Sequence, residues 1–183
     1  IIVLIAGIDE VGRGCLAGPV LAAAVILKEP ISGLCDSKKL SPKNRQILSE
    51  EIKLKSFYAF GIATPREIDK INILQASLLA MKRAVLNLSV KPSKILVDGI
   101  HKPDINFEME AIIKGDSIID EISAASIIAK VERDKYMTKI DKKFPNYGFK
   151  DHKGYGTKYH YEKINLLGIT KIHRKTFKGV TPW

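Results

Sequence analysis

The chain has 183 residues and a hydrophobic content of 45%, which predict one domain with a substantial buried core and exclude an intrinsically disordered chain. Its two cysteines, Cys15 and Cys35, have no CxxC spacing, so the composition argues against a disulfide framework and against a cysteine zinc site. The formal net charge of +10 is concentrated in the last third, where residues 129–183 hold fourteen Lys and Arg against five Asp and Glu.

Short apolar runs bounded by turn residues predict the strands. The runs are rich in β-branched and small side chains, as buried strands are, and each is far shorter than a membrane span. The predicted strands cover residues 2–8, 20–27, 57–63, 94–98 and, with a weaker pattern, 107–113.

Capping signals predict where the helices begin. Ser41-Pro42 starts a first helix, and Thr64-Pro65-Arg66-Glu67 is a capping box with proline at the first helical position. A longer helix is expected from Asn72 to about Leu88. Residues 120–143 contain neither Gly nor Pro and predict the main long helix, whose small segment 123–126 suits close approach to a sheet. Together these elements indicate an α/β or α+β class with a mixed sheet.

Four carboxylates lie at the apparent ends of apolar runs: Asp9, Glu10, Asp98 and Asp116. Strand ends that are distant in sequence can lie side by side, and converging carboxylate oxygens suit the hard cations Mg²⁺ and Mn²⁺. Two adjacent acids repel each other by roughly 4 kcal/mol at 4 Å in an effective dielectric of 20, which a cation would offset. Each acid alone could instead be a turn or capping residue.

The neighbouring positions of Asp9 and Glu10 raise a geometric question. In a regular strand, adjacent side chains face opposite sides of the sheet. Either the first strand ends between the two acids, or Glu10 reaches the cation from the rim of the site.

A glycine-rich loop follows the first two acids. Residues 12–17 formally satisfy the G-x-G-x-x-A dinucleotide fingerprint, but Gly18-Pro19 and a second strand follow instead of a helix. The loop is therefore interpreted as a hairpin-type connection whose amides and Arg13 can lie against a sugar-phosphate backbone. A purely conformational role is the alternative.

The basic last third also contains five of the six tyrosines, a composition typical of a nucleic-acid-binding face. A merely solubilising surface is the alternative. Within this region Gly154 and Gly156 flank Tyr155, leaving room for a flat ligand, although a tight turn with a packed tyrosine has the same sequence. Lys38 and Lys39 can contact phosphate or belong to a solvated turn. The four histidines lack metal-ligand spacing and are interpreted as mostly surface or structural.

No basic segment precedes the first apolar run, and no apolar stretch is long enough to span a membrane. Together with the cysteine content, this predicts a soluble cytoplasmic protein that does not associate with membranes, taking Ile1 to be near the true start.

Several sequence blocks in fixed order resemble the bacterial ribonuclease HII family, the type 2 ribonucleases H. The resemblance extends almost from end to end and departs only slightly, as at Thr176, where serine is common. The blocks are GIDEVGRG (7–14), GPV (18–20), DSKKL (36–40), LVDG (96–99), KGD (114–116), SAASIIAKVERD (123–134), HKGYGT (152–157) and HRKTF (173–177).

The resemblance implies one RNase H-like catalytic domain over residues 1–183. Its fold would be a mixed five-stranded sheet flanked by helices, with a basic helical C-terminal extension from about residue 144. The implied activity is metal-dependent hydrolysis of the phosphodiester 5′ of a ribonucleotide, in RNA/DNA hybrids and at single ribonucleotides embedded in duplex DNA, leaving 3′-hydroxyl and 5′-phosphate ends. A monomer is expected.

The resemblance also assigns roles by position. Asp9, Glu10, Asp98 and Asp116 match the catalytic acids that hold one or two Mg²⁺ or Mn²⁺ ions. Gly12, Arg13 and Gly14 match a loop that contacts the ribose 2′-hydroxyl, Tyr155 matches a tyrosine that stacks on the sugar past the RNA-to-DNA junction, and Lys38 and Lys39 would touch the backbone. A non-catalytic hybrid-binding module is the rival hypothesis, and the four intact acids argue against it.

Overall fold

The structure is a computed structural model that describes residues 3–35 and 39–181, and these residues contain a five-stranded mixed sheet. The strands are β1 (Ile5–Val11), β2 (Val20–Leu27), β3 (Ser56–Ala63), β4 (Lys94–Asp98) and β5 (Met109–Ile112). Their order across the sheet is β3-β2-β1-β4-β5. The pairs β1/β2 and β2/β3 are antiparallel, whereas β1/β4 and β4/β5 are parallel. The predicted mixed five-stranded sheet is confirmed.

The helices begin where the capping signals predict. Ser41 accepts a hydrogen bond from the Asn44 amide at 3.2 Å, and Thr64 and Glu67 form the reciprocal capping box. The predicted long helix has the same bounds in the structure. The helices are α1 (Pro42–Leu54), α2 (Pro65–Ile71), α3 (Ile73–Leu86), α4 (Asp120–Lys143), α5 (Phe149–His152) and α6 (Lys158–Leu167).

Each face of the sheet packs against a different long helix. Alternate residues of β1 and β2 pack on α3, and the intervening ones on α4 and α1, so that apolar side chains fill both layers. Glycines in the strands permit this close contact. A Cβ at Gly7 would lie 2.1 Å from the Glu121 backbone in α4, and one at Gly61 would lie 2.0 Å from the Ala80 carbonyl oxygen in α3.

The predicted end of the first strand is wrong. β1 continues through both acids to Val11, because β2 pairs with it there: Asp9 is opposite Ala23 and Glu10 is opposite Ala22. Its parallel partner β4 is shorter, and that pairing ends at Ile8 and Val97. Asp9 and Glu10 thus lie in a part of β1 that has a paired strand on one side only, at a step in the sheet.

The C-terminal extension packs against the loop between β1 and β2. Cys15 forms an isolated bridge with Tyr155, and Ala17 forms another with His173. This arrangement confirms the helical extension beyond residue 143 and brings it to the end of the sheet that carries the acids. Of the described helices, none combines the length and the apolar character needed to cross a bilayer.

Candidate active site

The acids of β1 face opposite sides of the sheet, as strand geometry requires. Asp9 lies on the α4 side, where it is 6% exposed and interacts with the Ser126 hydroxyl. Glu10 lies on the α3 side, in a groove of about 160 Å³ that is also lined by Arg13 and Asp98. The strand does not end between the acids, which removes the first alternative, and the contact of Glu10 with a cation from the rim of the site stays a prediction.

Asp98 connects the remaining acids. It ends β4 beside Asp9, and its Oδ1 accepts a hydrogen bond from the Asp116 amide at 3.3 Å. Asp116 lies in a single 3-10 turn between β5 and α4, with the Ser117 hydroxyl 3.3 Å from its Oδ1. Backbone geometry therefore gathers all four acids at one end of β1 and β4.

Crowding and burial disfavour the ionised form of the β1 acids. Burial raises the pKa of the Asp9 carboxyl well above its ordinary value, and the negative charges of Glu10 and Asp98 raise it further. Burial also raises the pKa of Glu10, although Arg13 opposes this effect with its Nη1 3.4 Å from Glu10 Oε1. A bound cation would favour the ionised form of every carboxylate here.

The donor chemistry fits a hard divalent cation held by few protein ligands. No three His, Cys, Asp or Glu side chains converge closely enough to hold an ion among residues 3–35 and 39–181. Mg²⁺ usually keeps several waters and is bound by one or two carboxylates together with substrate phosphate. The acids present suit that mode of binding better than a closed protein cage.

Two buried arginines, Arg133 and Arg174, donate hydrogen bonds to the backbone of the glycine loop, residues 12–19. The Arg174 guanidinium donates to the carbonyl oxygens of Gly12 at 2.6 Å, Arg13 at 2.8 Å and Gly18 at 3.0 Å. The Arg133 guanidinium donates to those of Pro19 at 2.9 Å, Ala17 at 3.1 Å and Lys153 at 2.7 Å. Burial lowers the pKa of Arg174 to about 10, so it remains protonated at neutral pH.

Tyr155 lies directly against this loop. Its segment is joined to the loop by the Cys15 bridge and by a hydrogen bond from the Leu16 amide to the Gly154 carbonyl at 2.8 Å. The ring is 38% exposed and has Lys130 Nζ and Arg133 Cζ each 5.9 Å from its centroid. A partly exposed ring surrounded by cations is suited to contact with a nucleic-acid strand.

The structure does not test the predicted contacts of Lys38 and Lys39 with the substrate backbone. Lys39 is exposed, and Lys38 lies outside the described residues. Their proposed contact with the substrate backbone stays a prediction.

The histidines are mostly structural, as expected. His160 and His173 are 0% and 1% exposed, with their Nε2 atoms 3.1 Å apart, and His152 stacks on His160 at a centroid distance of 4.2 Å. Tyr147 is also buried, and its hydroxyl donates to the Gly168 carbonyl at 2.8 Å. Part of the aromatic content of the basic region therefore builds a small core instead of a binding face.

Sequence reasoning missed the residues that support the site. Arg133 and Arg174 were counted only as basic charge, and Ser126 only as a small residue of α4. The available signal for the arginines was their position within two of the family blocks, since charge alone does not distinguish a buried arginine from an exposed one.

The resemblance seen in the sequence covers nearly the whole chain. The family model for ribonuclease HII matches residues 6–180. The chain belongs to this family. As a ribonuclease HII family member it is an endoribonuclease of the ribonuclease H type, and the family is metal-dependent.

Similar proteins cover nearly the whole chain. Ribonuclease HII from Pelagibacter ubique is 56% identical over 181 residues, covering 97% of each chain. Ribonuclease HII from Shewanella pealeana is 56% identical over 178 residues, covering 96% of this chain and 88% of that protein. The crystal structure of ribonuclease H2 from Pyrococcus horikoshii OT3 has a TM-score of 0.80 at 29% identity, covering 97% of this chain and 95% of that one. The RNase H-like fold is thus shared.

Proposed function

We propose that this protein hydrolyses the phosphodiester on the 5′ side of a ribonucleotide, both in RNA/DNA hybrids and at single ribonucleotides embedded in duplex DNA. The products would carry 3′-hydroxyl and 5′-phosphate ends. The observation that supports this most strongly is the direct connection of the acids to the glycine loop: Glu10 belongs to β1, pairs with Arg13 and is followed at once by the loop that contacts the Tyr155 segment.

Asp9, Glu10, Asp98 and Asp116 would hold Mg²⁺ or Mn²⁺, as one or two ions. Such ions supply an activated water and neutralise the charge that develops on the leaving oxygen. The protein contributes carboxylates whose mutual repulsion and burial, strongest at Asp9, favour cation binding. No histidine or serine nucleophile is needed, which agrees with the structural role of the buried histidines.

Selection of a ribonucleotide would depend on its 2′-hydroxyl, which both donates and accepts hydrogen bonds. Gly12, Arg13 and Gly14 lie beside Glu10, so a hydroxyl bound by their backbone would be close to the acids. Tyr155 would stack on the adjacent sugar, and Lys38 and Lys39 would contact the strand. These contacts need no particular base, so cleavage should depend little on the base sequence.

The test is cleavage of a labelled duplex that contains one ribonucleotide, in Mg²⁺ and in Mn²⁺. The wild-type protein should cut once, on the 5′ side of the ribonucleotide, and Asp9→Asn should lose cleavage by at least about a hundredfold. Asp104→Asn, the same change at an exposed aspartate, is the matched control and should cut normally. An uncut substrate with the wild type, or undiminished cutting by Asp9→Asn, would contradict the proposal.

All of the proposed site residues come from one chain, and we expect a monomer that acts on RNA/DNA hybrid and ribonucleotide-containing duplex. Light scattering should give the mass of one chain, and a stable dimer would contradict this expectation. The predicted cytoplasmic location stays a prediction.

A further inference from the structure

The proposed reaction gives no role to Arg133 and Arg174, the two arginines that bind the backbone of the glycine loop. Both side chains are fully buried, and within residues 3–35 and 39–181 their six hydrogen bonds all end on backbone carbonyl oxygens. Burying a charge is costly unless it is well hydrogen-bonded, so this arrangement is maintained only by close agreement between the guanidinium forks and the loop.

The direction of the carbonyls determines the direction of the neighbouring amides. In a trans peptide the C=O of one residue and the N–H of the next point in opposite directions. Arg174 draws the Gly12 and Arg13 carbonyls inward, at 2.6 and 2.8 Å. The amides of Arg13 and Gly14 therefore point outward, away from the protein. Within the described residues neither amide donates to a protein acceptor, and both residues are exposed.

The third bond of Arg174 follows the same logic. It ends on the Gly18 carbonyl, which also points inward. The next residue is Pro19, which has no backbone N–H, so no amide points outward at that position. Arg133 holds the other limb of the loop, at Ala17 and Pro19, together with Lys153 of the Tyr155 segment. Among the described residues of the glycine loop, Arg13 and Gly14 are the exposed ones whose amides donate to no protein acceptor.

We infer that Arg174 is a positioning residue for ribonucleotide recognition: its buried guanidinium turns the Arg13 and Gly14 amides toward the substrate, where they donate to the 2′-hydroxyl oxygen. Arg133 positions the Tyr155 segment relative to the same loop. The inference rests on the proposed function, because it assigns the donors through which that loop would detect the hydroxyl.

Lysine is the informative substitution, since it keeps the charge and the aliphatic stem but replaces the planar fork by a single ammonium. Arg174→Lys cannot hold the three carbonyls in the same directions, so the two amides should lose their alignment. Arg133→Lys tests the second fork. Arg83→Lys is the matched control, because Arg83 also donates to a carbonyl, that of Ile62 at 2.7 Å, but pairs with Glu67 away from the loop.

The measurement is the ratio of two dissociation constants, for an all-DNA duplex and for the same duplex with one ribonucleotide, by fluorescence anisotropy in EDTA to prevent cleavage. A fall in the folded fraction weakens both affinities equally and leaves the ratio unchanged. We expect the wild-type ratio to exceed one and Arg174→Lys to reduce it about fivefold, which is the effect of losing one hydrogen bond. Arg83→Lys should keep the wild-type ratio.

Each outcome decides the question. A wild-type ratio above one that Arg174→Lys retains would overturn the inference and leave the proposed function intact. A wild-type ratio of one would remove the hydroxyl sensor from the proposed function, and the inference with it. If both variants lack a cooperative thermal transition, the forks are required for the fold itself, and a positioning role is equally refuted.

Discussion

Acid should destabilise this protein through its buried histidines. The hydrogen bonds define a chain of neutral rings: the Thr170 amide donates to His173 Nδ1 at 2.9 Å, so His173 carries its proton on Nε2. That Nε2 donates to His160 Nε2 at 3.1 Å, and His160 Nδ1 donates to the Tyr155 carbonyl at 2.9 Å. A proton added to either ring would place two donors face to face.

The size of the effect follows from the pKa values. Burial lowers the pKa of His160 and of His173 from 6.5 to about 4. Between these values the unfolded chain binds protons that the folded protein excludes, so the free energy of unfolding falls as pH falls from 6.5 toward 4 and is unaffected by these rings above 6.5. At about 1.4 kcal/mol per pH unit, the loss approaches about 3 kcal/mol for one ring.

Urea denaturation at a series of pH values from 7 to 4.5 measures this loss. Glu67 interferes little in that window, because Arg83 lowers its pKa to about 2 and the stability it contributes is lost only as pH falls below about 4.5. Asp9 and Glu10 act in the opposite direction, because their raised pKa values make the folded state gain protons as pH falls. Their contribution would make the observed loss smaller.

His160→Asn isolates the histidine contribution. Asparagine offers a donor group and an acceptor group but does not titrate. The free energy of unfolding of the variant should therefore fall less steeply with decreasing pH than that of the wild type. His101→Asn, at an exposed histidine, should follow the wild-type slope. Equal slopes for the wild type and His160→Asn would refute the reasoning.

Three further outcomes are expected. Tyr155→Ala should lower kcat/KM for cleavage at an embedded ribonucleotide by an amount equivalent to about 1–3 kcal/mol, whereas Tyr155→Phe should keep the wild-type kcat/KM. An unchanged kcat/KM for the alanine variant would exclude stacking. Binding to duplex, measured by anisotropy, should weaken steeply as salt rises, because Lys and Arg release counterions from the phosphates, and a flat response would contradict a basic binding face. Gly61→Ala should lower the free energy of unfolding by about 2 kcal/mol or more in urea, since its Cβ would meet the α3 backbone at 2.0 Å; an unchanged midpoint would show that α3 can move away.

The elements that local chemistry specifies were predictable from the sequence. The capping residues Ser41 and Thr64 define helix starts, and the uninterrupted helical pattern of residues 120–143 gives α4 its full length. The four acids were singled out because, although each alone could be a turn or capping residue, several carboxylates at the ends of apolar runs together indicate a cation site. Their proposed role as ligands goes further and stays a prediction.

Features that depend on partners distant in sequence were not predictable. The end of β1 was misplaced because charge normally ends a buried strand, whereas pairing with Ala22 and Ala23 of β2 carries it through both acids. Arg174 contacts residues more than 150 positions earlier, and neither its own segment nor the glycine loop indicates this on its own. Net charge was similarly ambiguous, because two of the cations in the basic third lie inside the protein.

The long helix α4 determines the spacing between the two parts of the proposed site. Ser126 interacts with Asp9, and Arg133, seven residues later on the same helix, holds the glycine loop and the Tyr155 segment. Seven residues of α-helix are about two turns and about 10 Å. One added residue between these positions would rotate one contact by about 100° relative to the other, so the placement of the acids relative to the glycine loop depends on the length of α4 between Ser126 and Arg133.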